Sequence, residues 1–198
     1  GAEKAAGKGD ATFVGYFNEC MTGFEYQVAG HMIWEGLVEE GLAVTRMIHD
    51  RYHASKRNPW NEVECSSHYA RAMASHGVFL ALCGFEYDGP QSHLGFAPRI
   101  SPQDFRTAFT AAEGWGTYCQ KSDPQKLRSE IFVRWGQLKL KTLALQMAAG
   151  TKPKTVKITL AEKDVPAEIR EQDGRVRITL REAIVAHAGQ SIQVEITV

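Results

Sequence analysis

The densest group of side chains that could do chemistry lies between residues 56 and 71. It combines two carboxylates, an arginine, a histidine and an indole: Trp60, Glu62, Glu64, His68 and Arg71. Carboxylates accept hydrogen bonds from sugar hydroxyls, a guanidinium donates to them, and an indole offers an apolar platform. The composition therefore indicates a hexose-binding site. The alternative is a charged, well-capped helix start on the surface, which the same residues would also form.

Two glutamates in this group, Glu62 and Glu64, are candidates for binding a ligand. Asn61 and Glu64 fit a capping box, in which the Glu64 carboxylate accepts a hydrogen bond from the Asn61 backbone N–H. Glu62 has no such duty, and the helix N-terminus would keep its carboxylate ionised. Glu64 also lies on one helical face with Arg71, so the two could form a structural ion pair. Spacing alone leaves open which glutamate would face a ligand.

Signals for a metal or a nucleophile are weak. His49 and His53 stand at i and i+4, but no third ligand has a suitable spacing. Ser66, Ser67 and His68 lack the strand–turn–helix context of a serine nucleophile. The four cysteines form no Cys-x-x-Cys pair and are expected to be reduced thiols. We therefore expect neither a metal nor a cofactor.

The composition excludes several classes of protein. The 198 residues include 23 Lys and Arg against 23 Asp and Glu, so the formal net charge is zero. Nucleic acid requires a basic surface, so it is not an expected partner. No run of about 18 apolar residues is present, so we expect no transmembrane segment. Reduced thiols favour a cytoplasmic location.

The first half of the chain has helical periodicity. Thr22 and Glu25 fit a capping box, with Thr22 as the N-cap. The apolar spacing that follows predicts a helix that is interrupted at Glu40-Gly41 and ends near Tyr52. A second helix is predicted from Asn61, ending at Asp88-Gly89-Pro90. One face of it holds Tyr69, Met73, His76, Leu80 and Cys83, with His76 expected as a core histidine.

After Pro102 the period becomes two, which indicates strands. Ile131–Trp135 and Leu138–Leu140 are predicted strands with a turn at Gly136-Gln137. Asp173-Gly174 predicts a hairpin turn. Three further segments predict antiparallel strands with one solvated face: Val156–Leu160, Val176–Leu180 and Val194–Val198.

These patterns together predict an α+β fold. The helical part covers residues 1–103 and the antiparallel β-strand region covers residues 104–198. Two helices cannot close a core alone, so their apolar stripes need partners from the β region or from another chain segment. We therefore expect self-association or association with the remainder of a larger protein.

The helical part carries a run of short motifs in a fixed order: Glu19–Gln27, Glu35–Leu42, Asp50–Tyr52, Lys56–Cys65 and Tyr69–Ser75. This run resembles the C-terminal region of glycoside hydrolase family 116, the non-lysosomal, bile-acid-type β-glucosidases and glucosylceramidases. The similarity continues through Gly95–Arg99 and Ala112–Gly116. The resemblance implies an (α/α)₆ barrel, of which this chain would hold the last helices, followed by the β-rich C-terminal region.

The resemblance also implies roles. Family members are retaining enzymes with a glutamate nucleophile and an aspartate acid/base, and no position here matches either carboxylate. The family's glucose-binding pair fits Glu62 and Arg71 best, with Trp60, Glu64 and His68 as further substrate-binding candidates. The chain would then be a fragment or subunit that acts on a β-glucoside or glucosylated lipid only together with the rest of the enzyme, which is an upstream segment or a partner chain.

The alternative function is a non-catalytic carbohydrate-binding or structural β-module with a helical appendage. Such a module would expose aromatic residues on its strands, because sugar rings stack on aromatic faces. No aromatic residue follows Trp135. The sequence therefore favours the glycosidase fragment.

Overall fold

The computed structural model describes residues 21–51, 72–148, 150–172 and 174–198. Within them the three helices are α1 (Thr22–Trp34), α2 (Val38–Arg51) and α3 (Ala72–Cys83). The ten strands are β1 (Glu86–Asp88), β2 (His93–Phe96), β3 (Asp104–Ala111), β4 (Gly114–Ser122), β5 (Lys126–Leu145), β6 (Thr155–Leu160), β7 (Lys163–Asp164), β8 (Ala167–Gln172), β9 (Arg175–His187) and β10 (Ser191–Thr197). The fold is α+β, as predicted.

The chain divides into two compact units between Leu82 and Cys83. The short strands β1 and β2 precede residue 104 and belong to the second unit. The helical part of the described chain therefore ends at Cys83. None of the described helices is long and apolar enough to cross a membrane.

Helix α1 begins differently from the prediction. Met21 is its N-cap and provides no side-chain hydrogen bond, so the expected capping box of Thr22 and Glu25 is not formed. The Glu25 carboxylate instead accepts a hydrogen bond from the Arg51 guanidinium at the end of α2. A guanidinium is a stronger hydrogen-bond donor than a backbone N–H, so the Glu25 carboxylate binds Arg51 instead of capping α1.

The break between α1 and α2 lies at Gly36, not at Glu40-Gly41 as predicted. Gly36 has φ +91°, the left-handed conformation that ends a helix. The Leu37 N–H donates to the Met32 carbonyl at 2.8 Å, and the Gly36 N–H donates to the Ile33 carbonyl at 3.1 Å, which closes the last turn. A glycine is favoured there because it has no Cβ.

Gly41 has a packing role inside α2. A Cβ at this position would lie 2.7 Å from the Ala29 carbonyl oxygen and 2.7 Å from Cγ1 of Ile33. The absence of a side chain therefore lets α2 approach α1 closely. Ala29 and Ile33 are fully buried and form the helical core with Val78 and Ala81 of α3.

Helix α3 buries only part of the predicted face, since Cys83 is buried and Leu80 is half-buried. Val78 and Ala81 are buried, whereas Met73 and His76 are exposed, so His76 is not a core histidine. The helix is apolar on nearly every side, and its spacing could not select the buried face. It ends at Cys83 because Gly84 turns the chain with φ +53°, and β1 then occupies the residues up to Asp88.

The second unit is a mixed sheet folded into two layers that share β5. The first layer has the order β1-β2-β5-β9-β8 and the second has the order β3-β4-β5-β10-β6-β7. Strand β5 pairs with β4 up to Gly136 and with β9 from Gln137 onward. All pairs among strands from Asp104 onward are antiparallel, and β2 pairs with β5 in parallel.

The predicted turn at Gly136-Gln137 is wrong, because β5 continues through it. Gly136 has φ +71°, and a Cβ there would lie 2.0 Å from the Glu113 carbonyl oxygen. The glycine therefore marks the point where the strand changes partners rather than where it ends. The hairpin predicted at Gly174 is confirmed, since Gln172 pairs with Arg175; Asp173 lies outside the described residues.

The core between the layers is formed by alternate residues of the strands. Phe96 of the first layer stacks on Tyr118 of the second, with ring centroids 3.8 Å apart and planes 5° apart. Alternation also appears in β10, where Ile192, Val194 and Ile196 are buried and the residues between them are not. Residues 156–160, 176–180 and 194–197 are in strands, as their period of two predicted.

Candidate functional site

The predicted substrate-binding residues lie outside the described part of the chain: Trp60, Glu62, Glu64, His68 and Arg71. Helix α2 ends at Arg51 and α3 begins at Ala72, so the whole group falls between these helices in sequence. Their assigned roles, and the capping interaction of Asn61 with Glu64, stay predictions.

The described residues of the motif run hold the helices together. Glu25 belongs to the first motif and Arg51 to the third, and the two form an ion pair that joins α1 to the end of α2. Gly41, from the second motif, makes the close approach of α2 to α1. Arg46 and Asp50 form an exposed ion pair along α2 at 2.8 Å. These contacts fix the end of α2, after which the predicted binding segment begins.

In the second unit, two tryptophans on neighbouring strands face solvent. Trp115 of β4 and Trp135 of β5 are direct partners in the antiparallel ladder, so their side chains leave the sheet on the same face. Trp115 is 48% exposed and Trp135 is 63% exposed. We call them the tryptophan pair. Two adjacent indoles with this exposure form an apolar platform on an otherwise polar face.

A β-bulge directs Trp135 outward. The register shifts between Trp115 and Gly116, because Gly116 pairs with Val133 and leaves Arg134 as an extra residue. Arg134 and Trp135 are consequently both exposed, although neighbours in a regular strand would point to opposite faces. The Arg134 guanidinium lies over the Phe132 ring, 4.6 Å from its centroid. This contact is a cation–π interaction that holds Arg134 beside the tryptophan pair.

Glycines adjoin both tryptophans in the sequence and let the paired backbones approach closely. A Cβ at Gly114 would lie 2.6 Å from the Trp135 carbonyl oxygen, and one at Gly116 would lie 2.1 Å from the Phe132 carbonyl oxygen. Only glycine lets the backbones approach this closely.

Polar groups adjoin the platform. The Gln137 side-chain amide donates to the Glu113 carboxylate at 2.9 Å, and the Gln137 backbone N–H donates to the Glu113 carbonyl at 3.0 Å. The Ala112 N–H donates to the Tyr87 hydroxyl at 3.0 Å, which anchors the turn between β3 and β4. An aromatic platform edged by an amide and a carboxylate is the arrangement that binds sugar rings and their hydroxyls.

A groove of about 610 Å³ lies on the outer face of the second layer, separated from the tryptophan pair by the paired residues Thr117 and Phe132. Two rows of directly paired residues line it, and we call it the outer groove. The first row is Cys119, Glu130, Gln193 and Thr159; the second is Lys121, Arg128, Glu195 and Lys157. Trp115, Cys119 and Lys121 alternate on the same face of β4, so the groove and the tryptophan pair share one surface.

The charges in the outer groove are largely neutralised among themselves. The Glu195 carboxylate lies 2.6 Å from Nζ of Lys126 and 3.0 Å from Nε of Arg128. Their hydrogen bonds, Lys126 first and then Arg128, lower the pKa of Glu195. Lys157 pairs with Asp164 at 3.7 Å. A ligand in this groove would therefore contact polar groups and charges of both signs, not a surface of uniform charge.

Hydrogen-bonding groups of the first row are available to a ligand. The Ser191 hydroxyl donates to one Glu130 oxygen at 2.7 Å. The side chains of Gln193 and Thr159 make no hydrogen bond to any other described residue. A carboxylate, an amide and a hydroxyl in one row match the donors and acceptors of a sugar.

A second charged cluster is structural. Glu86 of β1 accepts a hydrogen bond from Arg175, and its other oxygen lies 3.3 Å from Nε2 of His93. Nδ1 of His93 lies 2.7 Å from the Thr142 hydroxyl. These contacts attach the edge strands to the first layer, and all the groups are mutually satisfied.

Metal-binding clusters are absent from the described residues, where no three His, Cys, Asp or Glu side chains come together. Cys83 and Cys119 are free thiols. Burial raises the pKa of the Cys83 thiol, and a contact of 3.2 Å with the Thr107 hydroxyl opposes this in part. A buried thiol of this kind is a poor nucleophile.

No protein-family model matches this chain, and no curated protein matches it. Among solved structures, the chain is similar to a GH127 β-L-arabinofuranosidase from Geobacillus stearothermophilus T6, with 13% identity and a TM-score of 0.36 over 64% of this chain. It is also similar to an α-L-rhamnosidase from Dictyoglumus thermophilum, with 8% identity and a TM-score of 0.36 over 67% of this chain. The chain spans only 18% and 14% of the length of these proteins.

Sequence reasoning missed the tryptophan pair. The absence of aromatic residues after Trp135 had argued against glycan-binding strands, but the strands begin earlier and include Trp115. A signal was present, since Gly114-Trp115-Gly116 and Trp135-Gly136 both place a tryptophan beside glycine. The pairing of the two residues depends on register, which the sequence does not reveal.

Proposed function

We propose that this chain is the C-terminal part of a retaining β-glucosidase or glucosylceramidase. Its helices would be the last of an (α/α)₆ barrel, and its described β unit would follow them. The observation that carries the proposal is the ordered motif run from Glu19 to Ser75, which resembles glycoside hydrolase family 116. A run of several motifs in order is far more specific than any single motif.

Contacts among the described motif residues support the proposal. The Glu25–Arg51 ion pair joins the first motif to the third, and Gly41 of the second motif lets α2 pack closely on α1. Paired helices with a close glycine contact are the building unit of a helical barrel. The motifs therefore have a common structural purpose, as expected for parts of one barrel wall.

The chain would contribute binding rather than bond cleavage. Retaining hydrolysis needs two carboxyl groups about 5 Å apart across the glycosidic bond, and the family's pair has no counterpart here. Glu62 and Arg71 would hold glucose hydroxyls while carboxylates of the rest of the enzyme act on a β-glucoside or glucosylated lipid. Trp60, Glu64 and His68 would line the same subsite, and no cofactor is needed.

The test compares two glutamates in the enzyme assembled with its upstream segment or partner chain. Glu62→Gln and Arg71→Lys should each cost about 2–4 kcal/mol, because a charge-assisted hydrogen bond is lost and its partner is left unpaired. That equals a fall in kcat/KM of roughly 30- to 1000-fold. Glu64→Gln is the matched control and should lower stability by about 1 kcal/mol or less. An inactive Glu64→Gln beside a nearly normal Glu62→Gln would reverse the assignment.

A second measurement tests whether bond cleavage depends on the rest of the enzyme. The 198-residue chain alone should not hydrolyse aryl β-glucosides, because it lacks the carboxyl pair. Turnover that disappears on mutating a carboxylate within this chain would show that the bond-cleaving groups are here after all.

A further inference from the structure

We infer that the outer face of the second layer binds a neutral, linear glycan. The tryptophan pair would stack on one or two sugar rings, and the outer groove would take the hydroxyls of the following rings through Glu130, Gln193 and Thr159. This proposed site includes neither Glu62 nor Arg71 and does not depend on the function proposed for them.

The first argument is the way Trp115 and Trp135 are presented. Large apolar side chains exposed side by side on a sheet are unfavourable in water and mark a binding surface. Their exposure here is enforced by specific backbone features, namely the bulge at Arg134 and the glycines at 114 and 136. A sequence that only needed a stable sheet would not require these features together.

The second argument is chemical. A sugar ring presents apolar C–H faces and equatorial hydroxyls, so its complement is an aromatic face with amides, hydroxyls and carboxylates beside it. The Glu113–Gln137 pair lies next to the platform in the sequence, and the row of Glu130, Gln193 and Thr159 lies on the same face beyond the paired Thr117 and Phe132. Each of these groups can exchange hydrogen bonds with a hydroxyl.

The third argument concerns charge. Charges of both signs alternate on this face: Glu195 lies between Lys126 and Arg128, and Lys157 pairs with Asp164. Arg134 is held over Phe132 by a cation–π contact. The surface therefore mixes both signs of charge and does not present the uniform row of cations that a nucleic acid or an anionic membrane needs, so a neutral glycan is the ligand that it fits best.

The dimensions favour a chain of sugars over a monosaccharide. At about 3.4 Å per strand residue, Trp115 lies about 14 Å from Cys119 and about 20 Å from Lys121 along β4. A single sugar would reach only the platform. Affinity should therefore rise with the length of the glycan, because each further ring gains contacts along the groove.

The test titrates the 198-residue chain with cellohexaose, laminarihexaose, cellobiose and glucose, followed by calorimetry and tryptophan fluorescence. We expect a hexasaccharide to bind with Kd below about 1 mM, and glucose to bind much more weakly. Trp115→Ala with Trp135→Ala should weaken hexasaccharide binding by about tenfold or more. Trp135→Phe should retain most of the affinity, because a phenyl ring still offers a face. Gln193→Ala should weaken hexasaccharide binding but not cellobiose binding.

Two control variants show whether a loss of affinity belongs to this site. Val185→Ala removes another exposed apolar side chain of the β unit and should leave the affinity unchanged. Glu39→Gln removes an exposed charge of α2 and should also leave the affinity unchanged. Failure here is distinguishable from failure of the glucosidase assignment, because that assignment is tested by kcat/KM of the assembled enzyme. Thermal unfolding shows whether each variant is folded. The inference is overturned if no hexasaccharide binds, if the folded double variant binds normally, or if the pair instead mediates binding to phosphatidylcholine vesicles.

Discussion

Phe96 of β2 and Tyr118 of β4 stack face to face across the two layers of the β unit, with centroids 3.8 Å apart. The Tyr118 hydroxyl donates to the Gln120 side-chain oxygen at 2.6 Å, and the Gln120 amide donates to the Pro102 carbonyl at 2.7 Å. Tyr118 and Gln120 are both buried. The hydroxyl of the stacked Tyr118 ring is thus linked through Gln120 to the backbone carbonyl of Pro102.

Tyr118→Phe should keep the stacking and lose the hydrogen bond. The buried Gln120 oxygen is then unsatisfied, which should lower the free energy of unfolding by about 1–3 kcal/mol. Chemical denaturation measures this. Tyr87→Phe is the control: its hydroxyl accepts one N–H at the partly exposed surface, so its effect should be smaller. Equal losses in the two variants would show that burial of the Tyr118 hydroxyl is unimportant.

The same residue predicts a pH dependence. Burial raises the pKa of Tyr118 above its ordinary value. The unfolded chain releases this proton near pH 10, whereas the folded chain retains it, so stability falls as pH rises above about 10. Tyr118→Phe should make stability less dependent on pH in that range. Unfolding curves from about pH 9 to about pH 11 check this, and identical slopes for both proteins would contradict it.

Gly41→Ala should destabilise the helical unit. The new Cβ would lie 2.7 Å from the Ala29 carbonyl oxygen, and such overpacking costs about 1–3 kcal/mol. Gly77→Ala in α3 is the matched control, because a Cβ there meets nothing within 4 Å. Alanine is the better helix former, so this change should stabilise by about 0.5–1 kcal/mol. Thermal unfolding monitored by circular dichroism should give shifts of opposite sign.

Glu195 should titrate below the ordinary range of a glutamate. Hydrogen bonds from Lys126 and then Arg128 lower its pKa, so the stability that it contributes is present above about pH 4.3 and is lost as pH falls through the folded pKa. Lys126→Met should raise the pKa, as should high salt. Lys157→Met should change it less, since Lys157 pairs with Asp164. Carbon-detected NMR titration would settle the order.

We expect the chain to self-associate, or to require a partner, through its helical unit. Phe24 is 60% exposed and Met73 is 84% exposed, which are large values for apolar side chains. Phe24→Glu and Met73→Glu should shift sedimentation toward the monomer, whereas Glu39→Gln on exposed α2 should not. A chain that sediments as a single monomeric species at high concentration would contradict this expectation.

Period-two patterns predicted the later strands well because their signal is local. Residues such as Ile192, Val194 and Ile196 alternate with polar neighbours, and burial of one face follows from this directly. The hairpin at Gly174 is also encoded locally, since a glycine with positive φ completes a tight turn. Where a few consecutive residues determine the structure, the sequence was sufficient.

Features that depend on distant partners were not predictable. Gly136 could end a strand or redirect it, and only its contact with Glu113 decides between them. Glu25 could cap α1 or bind Arg51, which lies 26 residues away. His76 lies on a helix that is apolar on most sides, so the buried face depends on what packs against it. The pairing of Trp115 with Trp135 likewise depends on register across two strands.

Strand β5 belongs to both layers, and this sharing bears on how the β unit unfolds. Opening either layer exposes part of the same 20-residue strand. The backbone amides of the two layers should therefore exchange with solvent only when both layers open together. We expect them to show similar protection factors. Many contacts in this unit also join distant parts of the sequence, such as Thr155 with Thr197, so it should fold more slowly than the helices. The β unit should accordingly behave as one cooperative block.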